Sequence, residues 1–332
     1  MKRWLVRTTR EERAFEKKGI LALMDKYLAT DVIVKVDRDD GYRAKVHLLE
    51  NKVGRCDGFI LDVGSNTAGE CEYMVSRGYA IIATDINEHA LCISQKRCAH
   101  FSRKAPAYVA CDGIRLPFVT GSMACVVFNE SLHHMPDPLA SIKEAWRVLS
   151  PGGRILMFEP YAYDPWRRIS EIRDYFKGTI ETSFSEGQIK RMLRESGFSL
   201  DEMSRPVLPP SRDKLAALSA YRRALRVGYF WVRRGLPSVL GMILCQATKP
   251  GKPNTARAEG NIEGLLICPV SGAPLVRTDA GYASTAVDKP LLYPVLDGIP
   301  VLIADDAIPL DAGLTTAQLA LWRSKNLNVG SA

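Results

Sequence analysis

Apolar and polar positions follow one another along the chain in blocks that predict an ordered series of helices and strands. Over residues 10–29, apolar side chains recur near a period of 3.6 among Glu and Lys, which predicts a helix. A second helix is expected over Tyr42–Lys52. From residue 59 onward, short apolar runs that stop at turns alternate with helical stretches. The expected strands are Phe59–Val63, Tyr79–Thr84, Ala107–Ala110, Met123–Phe128, Arg154–Phe158, Phe198–Met203 and Val239–Ala247, and the intervening helices are Gly69–Arg77, Glu88–Phe101, Leu139–Leu149 and 186–197.

This alternation of strands and helices predicts the fold class. Strands joined by helical crossovers form a buried parallel sheet, and right-handed crossovers place helices on both of its faces. The expected fold is therefore α/β, with a doubly wound, Rossmann-like sheet of seven strands and a small C-terminal β-rich domain. In such sheets, ligands bind beyond the carboxyl ends of the strands.

The same pattern suggests how the chain is divided. Pro and Gly are frequent around residue 252, which indicates a linker. We expect an N-terminal helical cap over 1–57, the α/β domain over 58–249 with an insertion at about 205–236, a linker over 250–260, a small domain over 261–310 and a helix or tail over 311–332.

The composition is that of a soluble globular protein, with 46% hydrophobic and 25% charged residues. The eight cysteines form no C-x-x-C pair, which favours reduced thiols of a cytosolic protein. The N-terminus is too polar for a signal peptide, and no apolar stretch of about 18 residues predicts a membrane span. We therefore expect a cytoplasmic protein, with peripheral membrane contact as an open alternative.

The positive charge is concentrated in one segment. The formal net charge is +8, and Arg205 to Arg234 contribute eight basic residues against the single acid Asp213. Over 212–234, Leu, Tyr and Val recur every three or four positions among Arg and Lys, which predicts a basic amphipathic helix. It could be a lid packed on the sheet with solvated arginines, a contact with an anionic membrane carrying a lipid-linked substrate, or, less favoured, a binder of nucleic acid phosphates.

Candidate chemistry begins in the turn after the first strand, Ile60–Gly69. Gly64 lets the backbone approach a ligand closely, and the following helix offers free amides and a positive dipole end. Asp85 ends the second strand, where an acid can accept hydrogen bonds from ribose hydroxyls. These features indicate a nucleotide cofactor, but they leave dinucleotide and S-adenosylmethionine enzymes both open.

Three further features separate these alternatives. The turn lacks the G-x-G-x-x-G spacing of a pyrophosphate site. Asp112-Gly113 closes the third strand, where a carboxylate can accept a hydrogen bond from an adenine amino group. The run Phe128–Pro138 precedes a helix and then the segment Arg147–Leu156.

With these motifs in this order, residues 59–160 resemble the class I methyltransferases, especially the branch with the ubiquinone, menaquinone and natural-product enzymes. The resemblance implies S-adenosyl-L-methionine as cofactor. Its implied contacts are Asp62, Gly64 and Ser65 to the methionine part, Asp85 to the ribose, Asp112 and Gly113 to the adenine, and Asn129 near the sulfonium, with Asn66 and Ile86 completing the predicted set.

The turn departs from the family pattern at two positions. Asn66 and Ala68 stand where the family often has Gly. Asn tolerates a left-handed backbone better than most residues, so position 66 is a mild change, whereas the methyl group of Ala68 is expected to shift the loop slightly.

The catalytic and substrate residues are less sharply indicated. His133, His134 and Glu130 are candidate catalytic residues, since a histidine can act as a base near neutral pH. The alternative is that both histidines shape the loop and pack beside the cofactor. Because methyl transfer depends mainly on alignment of donor and acceptor, we expect substrate contacts from the strand-end residues Glu159, Tyr161, Tyr163 and Trp166.

The C-terminal part carries a second resemblance. Leu265–Leu275 and the later run Tyr293–Ile303 resemble the zinc-ribbon-like protein that activates tRNA, rRNA and translation-factor methyltransferases. A structural zinc needs about four Cys or His ligands, but Cys268 stands alone and Ser271 occupies the place of a second Cys. We therefore expect no metal, and a fused module that stabilises the protein or positions its substrate.

The function predicted from the sequence is methyl transfer from S-adenosylmethionine to a small-molecule, glycan or lipid-linked acceptor. A methyltransferase acting on RNA or protein is the first alternative. Against it, Asn129-Glu-Ser-Leu stands where many such enzymes have Asn-Pro-Pro-Tyr. A non-catalytic cofactor-binding scaffold is the second. The sequence indicates no oligomeric state.

Overall fold

The computed structural model describes residues 19–164, 171, 182–211, 215–216, 218–235, 241–252 and 261–310. The predicted tail over 311–332, most of the linker and Trp166 therefore lie outside the described residues, as do residues 1–18 of the predicted N-terminal cap.

The described residues before the first strand include the helices α1 (Met24–Leu28), α2 (Val32–Arg38) and α3 (Asp40–Val53). Asp31 caps α2 by accepting hydrogen bonds from backbone amides in its first turn, and Asp39 caps α3 in the same way. Each cap satisfies amides that have no partner inside the helix. The predicted helix over Tyr42–Lys52 is thus confirmed within α3.

The single helix predicted over 10–29 is wrong in its described part, because residues 22–23 form a turn between a short helical stretch at 19–21 and α1. Helix α2 was not predicted. Its sequence, Val-Ile-Val-Lys-Val, is rich in β-branched residues that favour strands, and here the Asp31 cap and burial of Val32 and Val36 outweigh that preference.

The following elements match the predicted series, although the fifth strand begins at Leu149 instead of Arg154 and the basic helix begins at Ala220 instead of residue 212. They are β1 (Ile60–Val63), α4 (Gly69–Ser76), β2 (Ile81–Asp85), α5 (Glu88–His100), β3 (Ala107–Cys111), β4 (Met123–Asn129), α6 (Pro138–Val148), β5 (Leu149–Pro160), α7 (Glu186–Glu195), β6 (Ser199–Ser204), α8 (Ala220–Gly235) and β7 (Met242–Thr248). The C-terminal segment adds β8 (Leu275–Thr278), β9 (Gly281–Ser284), β10 (Leu291–Tyr293), β11 (Val295–Leu296), β12 (Ile299–Leu302) and β13 (Ile308–Pro309).

The main sheet confirms the predicted α/β class. Its strand order is β11-β12-β3-β2-β1-β4-β5-β7-β6. Strands β1 to β5 are parallel to one another, and β7 runs antiparallel to both β5 and β6. The order reverses between β1 and β4, so the switch point, where such sheets bind ligands, lies between these two strands. Helices cover both faces, with one apolar core on each.

Within the described residues the sheet has nine strands instead of the predicted seven, because the C-terminal segment contributes two of them. Strand β12 pairs in parallel with β3 through Val301↔Ala110 and Leu302↔Cys111. It forms a hairpin with β11 across Asp297-Gly298, and both turn residues have positive φ, which is the backbone that a two-residue Asp-Gly hairpin requires. The segment also forms its own antiparallel sheet, β13-β10-β9-β8, so it is both a small β unit and part of the main sheet.

A polar cluster lies inside this C-terminal segment. The thiol of Cys268 is 3.1 Å from the Tyr293 hydroxyl and accepts a hydrogen bond from the Ser271 amide at 3.3 Å. The hydroxyl of Ser271 lies 3.4 Å from that of Ser284. Hydrogen bonds thus link Cys268 both to Tyr293 and to Ser271. No group of three or more His, Cys, Asp or Glu that could bind a metal occurs among the described residues, and all eight cysteines are free thiols.

Helix α8 lies within the predicted basic segment, but it does not pack as a lid. Residues 220–228 are all exposed, and among the side chains of this helix whose burial the structure describes, only Tyr229 and Phe230 are half-buried. The interpretation of this segment as a helix that covers the sheet with its apolar side is therefore wrong for the described residues. No helix in the described part of the chain is long and apolar enough to cross a membrane.

Candidate functional site

The turn after β1 is held in a left-handed backbone. Gly64 has φ of +76°, and a Cβ there would lie 2.6 Å from the Cβ of Ser131, so glycine is required for both conformation and space. Asn66 and Ala68 also have positive φ, at 51° and 48°. Both departures from the family pattern thus occur where the backbone would favour glycine.

Asp85, at the carboxyl end of β2, fastens this turn. Its two carboxylate oxygens accept hydrogen bonds from the amide of Asn66 at 2.7 Å and from the amide of Asn87 at 2.8 Å. Burial raises the pKa of Asp85 to about 6, although these amide hydrogen bonds oppose the increase. Asp85, which is predicted to bind the ribose of the cofactor, therefore also sets the position of the turn that is predicted to bind the methionine part.

Asp62, near the carboxyl end of β1, is buried and incompletely satisfied. One oxygen accepts a hydrogen bond from the thiol of Cys71 at 2.9 Å. The other oxygen, Oδ1, has no hydrogen-bond partner within the described part of the chain. Burial raises the pKa of Asp62 to about 7, with the nearby Glu70 adding to the increase. A buried carboxyl group with an unused oxygen is suited to bind a cationic or hydrogen-bond-donating ligand.

Two more buried polar atoms lack partners in the same region. They are Oγ of Ser65 in the turn and Oδ1 of Asn129 at the end of β4, and neither has a hydrogen-bond partner among the residues described. Strands β1 and β4 are adjacent and parallel, so these atoms and Asp62 Oδ1 all belong to the switch point of the sheet. The residues predicted to hold the methionine part of the cofactor therefore fit a ligand with several polar groups.

The predicted adenine residues follow β3. The carboxylate of Asp112 accepts a hydrogen bond from the amide of Ile114 at 3.0 Å, which shapes the turn. A Cβ at Gly113 would lie 2.8 Å from Cε of Met135, and one at Gly64 would lie 3.5 Å from the same atom. The side chain of Met135 thus touches both turns. Sequence reasoning missed it, because a methionine in a loop carries no chemical signal of its own. Ile86 is half-buried directly after β2.

Glu159 lies beneath the loop that follows β4. Its carboxylate accepts hydrogen bonds from the amides of Ser131 and Leu132 at 3.0 and 2.8 Å, and it lies 2.7 Å from Nδ1 of His133. The side chain is completely buried. The predicted substrate contact of Glu159 stays a prediction: in this structure its oxygens are engaged by the loop, and solvent does not reach them.

The rings of the two candidate catalytic histidines lie close together and tilted relative to each other. The ring centroids of His133 and His134 lie 4.0 Å apart at an interplanar angle of 39°. When the carboxylate of Glu159 is ionised, Nδ1 of His133 donates to it, which leaves Nε2 as the ring atom that can accept a proton.

Glu130, the third candidate catalytic residue, forms an ion pair with a residue of the N-terminal helices. Nζ of Lys45 lies 2.7 Å from Oε1 of Glu130 and 3.0 Å from Oε1 of Glu70. Burial opposes the charged form, but the two carboxylates hold the pKa of Lys45 well above its usual value. Through these two ion pairs, Lys45 links α3 to α4 and to the loop after β4. Sequence reasoning did not find it, since a lysine on a predicted helix gives no indication of distant partners.

Arg97 on α5 also stabilises the turn after β1, through hydrogen bonds of its guanidinium group. Its guanidinium donates to the carbonyl of Thr67 at 2.5 Å, to the carbonyl of Tyr27 at 3.3 Å and to Glu72 at 3.1 Å. Arg97 and Glu72 are both buried. One buried cation therefore connects the N-terminal helices to the turn that is predicted to hold the cofactor.

Two predicted substrate residues lie at the carboxyl end of β5. Tyr161 is buried under the guanidinium of Arg205, which lies 4.8 Å from its ring centroid, whereas Tyr163 is exposed. Their rings meet edge to face at 5.4 Å. Tyr163 is thus the more accessible of the two.

Comparison with known sequences indicates the protein family to which part of this fold and site is similar. Residues 61–157 match the family described as "Methyltransferase domain". The matched range contains β1 to β4, most of β5 and the turns described above. This part of the chain, less than a third of its length, is thus similar to methyltransferase domains.

Two of the similar curated proteins are named for methyl transfer in quinone biosynthesis. The chain is 28% identical over 143 residues to the demethylmenaquinone methyltransferase of Lactococcus lactis, covering 42% of this chain and 55% of that protein. It is 28% identical over 163 residues to the ubiquinone/menaquinone biosynthesis C-methyltransferase UbiE of Nitrosospira multiformis, covering 42% and 66%. The matched regions thus span between half and two thirds of the length of these relatives.

Solved structures share the fold at lower identity. One chain of the complex between the Haloferax volcanii Trm112 methyltransferase activator and a putative methyltransferase matches with a TM-score of 0.54 and 16% identity, over 74% of this chain and 100% of that one. The geranyl diphosphate C-methyltransferase of Streptomyces coelicolor matches with a TM-score of 0.50 and 16% identity, over 62% and 80%. At these identities the likeness concerns the fold.

Proposed function

We propose that the protein transfers a methyl group from S-adenosylmethionine to a small-molecule, glycan or lipid-linked acceptor. The observation that carries the proposal is the set of three buried polar atoms without partners at the switch point, on Asp62, Ser65 and Asn129. Buried polar groups are normally hydrogen-bonded. Three such groups at the ligand-binding position of this fold therefore favour a polar ligand as their missing partner.

S-adenosylmethionine supplies, when bound, a methyl group already activated by the sulfonium. Asp62 and Ser65 would then hold its amino-acid part, Asp85 its ribose, and Asp112 with Gly113 its adenine. Met135 would limit the space between the two turns, since it touches both of them. The remaining task of the protein is to align the acceptor and to exclude water.

His133 is the candidate base that the geometry favours. Glu159 fixes its tautomer through the 2.7 Å contact at Nδ1 and also fixes the loop on which it stands. The ring is buried. A base oriented in this way could take a proton from an acceptor hydroxyl or carbon acid. Glu130 is less suited to this role, because its carboxylate pairs with Lys45.

The small-molecule assignment is supported by the curated relatives, whose names specify quinone substrates. For residues 261–310 we propose a stabilising role, as a fused module that covers the β3 edge of the sheet. It is supported by the pairing of β12 with β3.

Titration calorimetry with S-adenosylmethionine tests the cofactor. We expect saturable binding, and we expect Asp85→Asn to weaken it by about 10- to 100-fold, because hydrogen bonds to a charged group contribute about 1.5–3 kcal/mol. Asp57→Asn, which makes the same chemical change at an exposed position, should leave the affinity unchanged. Absence of binding at millimolar cofactor would refute the proposed enzyme and its cofactor together.

Labelling with methyl-labelled cofactor in a fractionated cell lysate tests the acceptor. We expect label in the lipid, glycan or small-molecule fractions. Label confined to RNA or protein would instead support the alternative methyltransferase class. Cofactor binding without label in any fraction would support a non-catalytic scaffold.

A further inference from the structure

Helix α8 presents large apolar side chains to solvent. The exposed fractions are 73% for Tyr221, 42% for Leu225, 60% for Trp231 and 51% for Val232. Residues 221, 225, 228 and 232 follow one line along the helix, and position 228 is glycine, so Tyr221, Leu225 and Val232 form one apolar strip. Neighbouring large apolar side chains exposed in this way mark an interaction surface.

The cationic side chains of α8 lie mainly on the opposite arc. Arg222 and Arg226 are one turn apart, and Arg223 and Arg234 lie further round the helix. All four are exposed. The helix contains no acidic residue, so its charge is uncompensated within the helix.

The helix is anchored beside the candidate site. The hydroxyl of Tyr229 donates to the carboxylate of Asp164, which is buried and also accepts a hydrogen bond from the amide of Gly241 at 2.9 Å. Asp164 follows Tyr163 directly, just beyond the carboxyl end of β5. The exposed Tyr163 therefore belongs to the same region of the surface as α8.

We propose that α8 docks this protein on an anionic membrane surface. The apolar strip enters the boundary between head groups and acyl chains, and the arginines bind lipid phosphates, as in an interfacial amphipathic helix. Tyr221 and Trp231 are suited to the boundary between head groups and acyl chains, because each combines an apolar ring with a polar hydrogen-bonding group. The docking does not depend on methyl transfer, but it brings the candidate site to an interface where amphiphilic acceptors concentrate.

The distribution of side chains favours lipid over nucleic acid. Arginines with stacking aromatic side chains would serve a single-stranded nucleic acid equally well. The aliphatic side chains of Leu225 and Val232 gain nothing from a phosphate backbone, however, while acyl chains bury them. Their position on an arc separate from most of the arginines is the arrangement expected at a membrane interface.

Co-sedimentation of the full chain with vesicles tests the proposal. We expect at least tenfold stronger binding to 7:3 phosphatidylcholine–phosphatidylglycerol vesicles than to pure phosphatidylcholine vesicles at physiological salt. Arg222→Gln, Arg226→Gln and Arg234→Gln combined should weaken this binding on the order of 100-fold, since each surface arginine contributes about fivefold. Leu225→Ser with Trp231→Ser should weaken it at least tenfold through loss of apolar burial.

Two control variants make the same chemical changes elsewhere. Arg191→Gln with Arg194→Gln removes exposed charge on α7, and Val276→Ser with Val287→Ser removes exposed apolar groups in the C-terminal segment. Both should bind like the unchanged protein, and circular dichroism should show every variant folded.

Equal binding to both vesicle types, no binding, or equal losses in the controls would overturn the proposal. So would retention by single-stranded RNA in the absence of vesicle binding, an outcome that favours nucleic acid. Calorimetry with S-adenosylmethionine is independent of all these outcomes.

Discussion

Nδ1 of His133 lies 2.7 Å from a carboxylate oxygen of Glu159, and both side chains are buried. The same carboxylate accepts the amides of Ser131 and Leu132. One side chain from β5 therefore determines the backbone of the loop after β4 and the tautomer of the histidine on that loop.

Replacing this carboxylate should destabilise the loop. In Glu159→Gln, one carboxylate oxygen becomes an amide nitrogen, which cannot accept a hydrogen bond from the loop. We expect the free energy of unfolding to fall by about 2–3 kcal/mol, the usual magnitude for lost hydrogen bonds to a buried charged group, measured by urea denaturation. Glu195→Gln, at an exposed position on α7, should change it by less than about 0.5 kcal/mol. Equal effects of both changes would show that the buried contacts contribute little.

The elevated pKa of Asp62 predicts a pH-dependent stability. Its folded pKa of about 7 lies above the unfolded value of about 4, so the unfolded chain loses this proton first as the pH rises. The contribution of Asp62 to stability is therefore complete below about pH 4 and is lost between about pH 4 and 7. Comparing urea unfolding of the protein and of Asp62→Asn across this range isolates the contribution of Asp62. If the free energies of unfolding of the two proteins changed with pH in parallel, the predicted contribution of Asp62 would be contradicted.

The same titration should appear in cofactor affinity. The ionised carboxylate is the form that binds the ammonium group of S-adenosylmethionine, so affinity should rise as the pH increases through about 7. Calorimetry between pH 6 and 8 measures this rise, and Asp62→Asn should flatten it and weaken binding at pH 8. An unchanged pH profile in the variant would assign the titration to another group, with Asp85 and its pKa of about 6 the nearest candidate.

Lys45 should stabilise the attachment of the N-terminal helices. In Lys45→Met the carboxylates of Glu70 and Glu130 lose the cation between them. We expect a loss of about 1–2 kcal/mol, between the values for exposed and buried ion pairs, because these side chains are partly exposed. Urea denaturation provides the measurement. The double change of Lys45→Met with Glu130→Gln should recover part of the loss, since it removes one of the two facing negative charges; no recovery would indicate that packing of the lysine side chain is responsible.

The pairing of β12 with β3 predicts where the C-terminal segment is sensitive to substitution. Val301 is completely buried, while Val287 is 94% exposed. Val301→Asp should destabilise the protein by at least about 3 kcal/mol, because it buries an unpaired charge. Val287→Asp makes the same change in solvent and should cost less than about 0.5 kcal/mol. Thermal unfolding of the two variants compares them directly, and a mild effect at Val301 would mean that β12 detaches easily.

The sequence predicted the sheet more completely than the site. Apolar runs such as Met123–Phe128 and the turn residues Gly64 and Asp85 carry local signals, since strand burial and a left-handed backbone depend on the residues themselves. The roles of Lys45 and Arg97 depend on partners distant in the chain, which no local pattern specifies. Glu159 was recognised as a strand-end acid, but sequence alone could not distinguish a side chain facing solvent from one facing the underside of a loop.

The same reasoning explains the errors in the C-terminal segment and α8. The Asp-Gly turn after Leu296 indicates a hairpin, yet nothing in that hairpin specifies β3 as its neighbour. The amphipathic pattern of α8 is genuine, but periodicity alone does not reveal whether an apolar strip meets the protein or another surface.

The edge position of β12 has a consequence for the nascent chain during synthesis. Strand β3 is synthesised early, whereas the residues that cover its edge are among the last described in the chain. During translation, the backbone groups of Ala110 and Cys111 must therefore remain unpaired on that side until the ribosome has completed and released the segment around Val301. An open strand edge can pair with other chains, so the nascent protein is vulnerable to aggregation at this edge until the segment around Val301 has been synthesised.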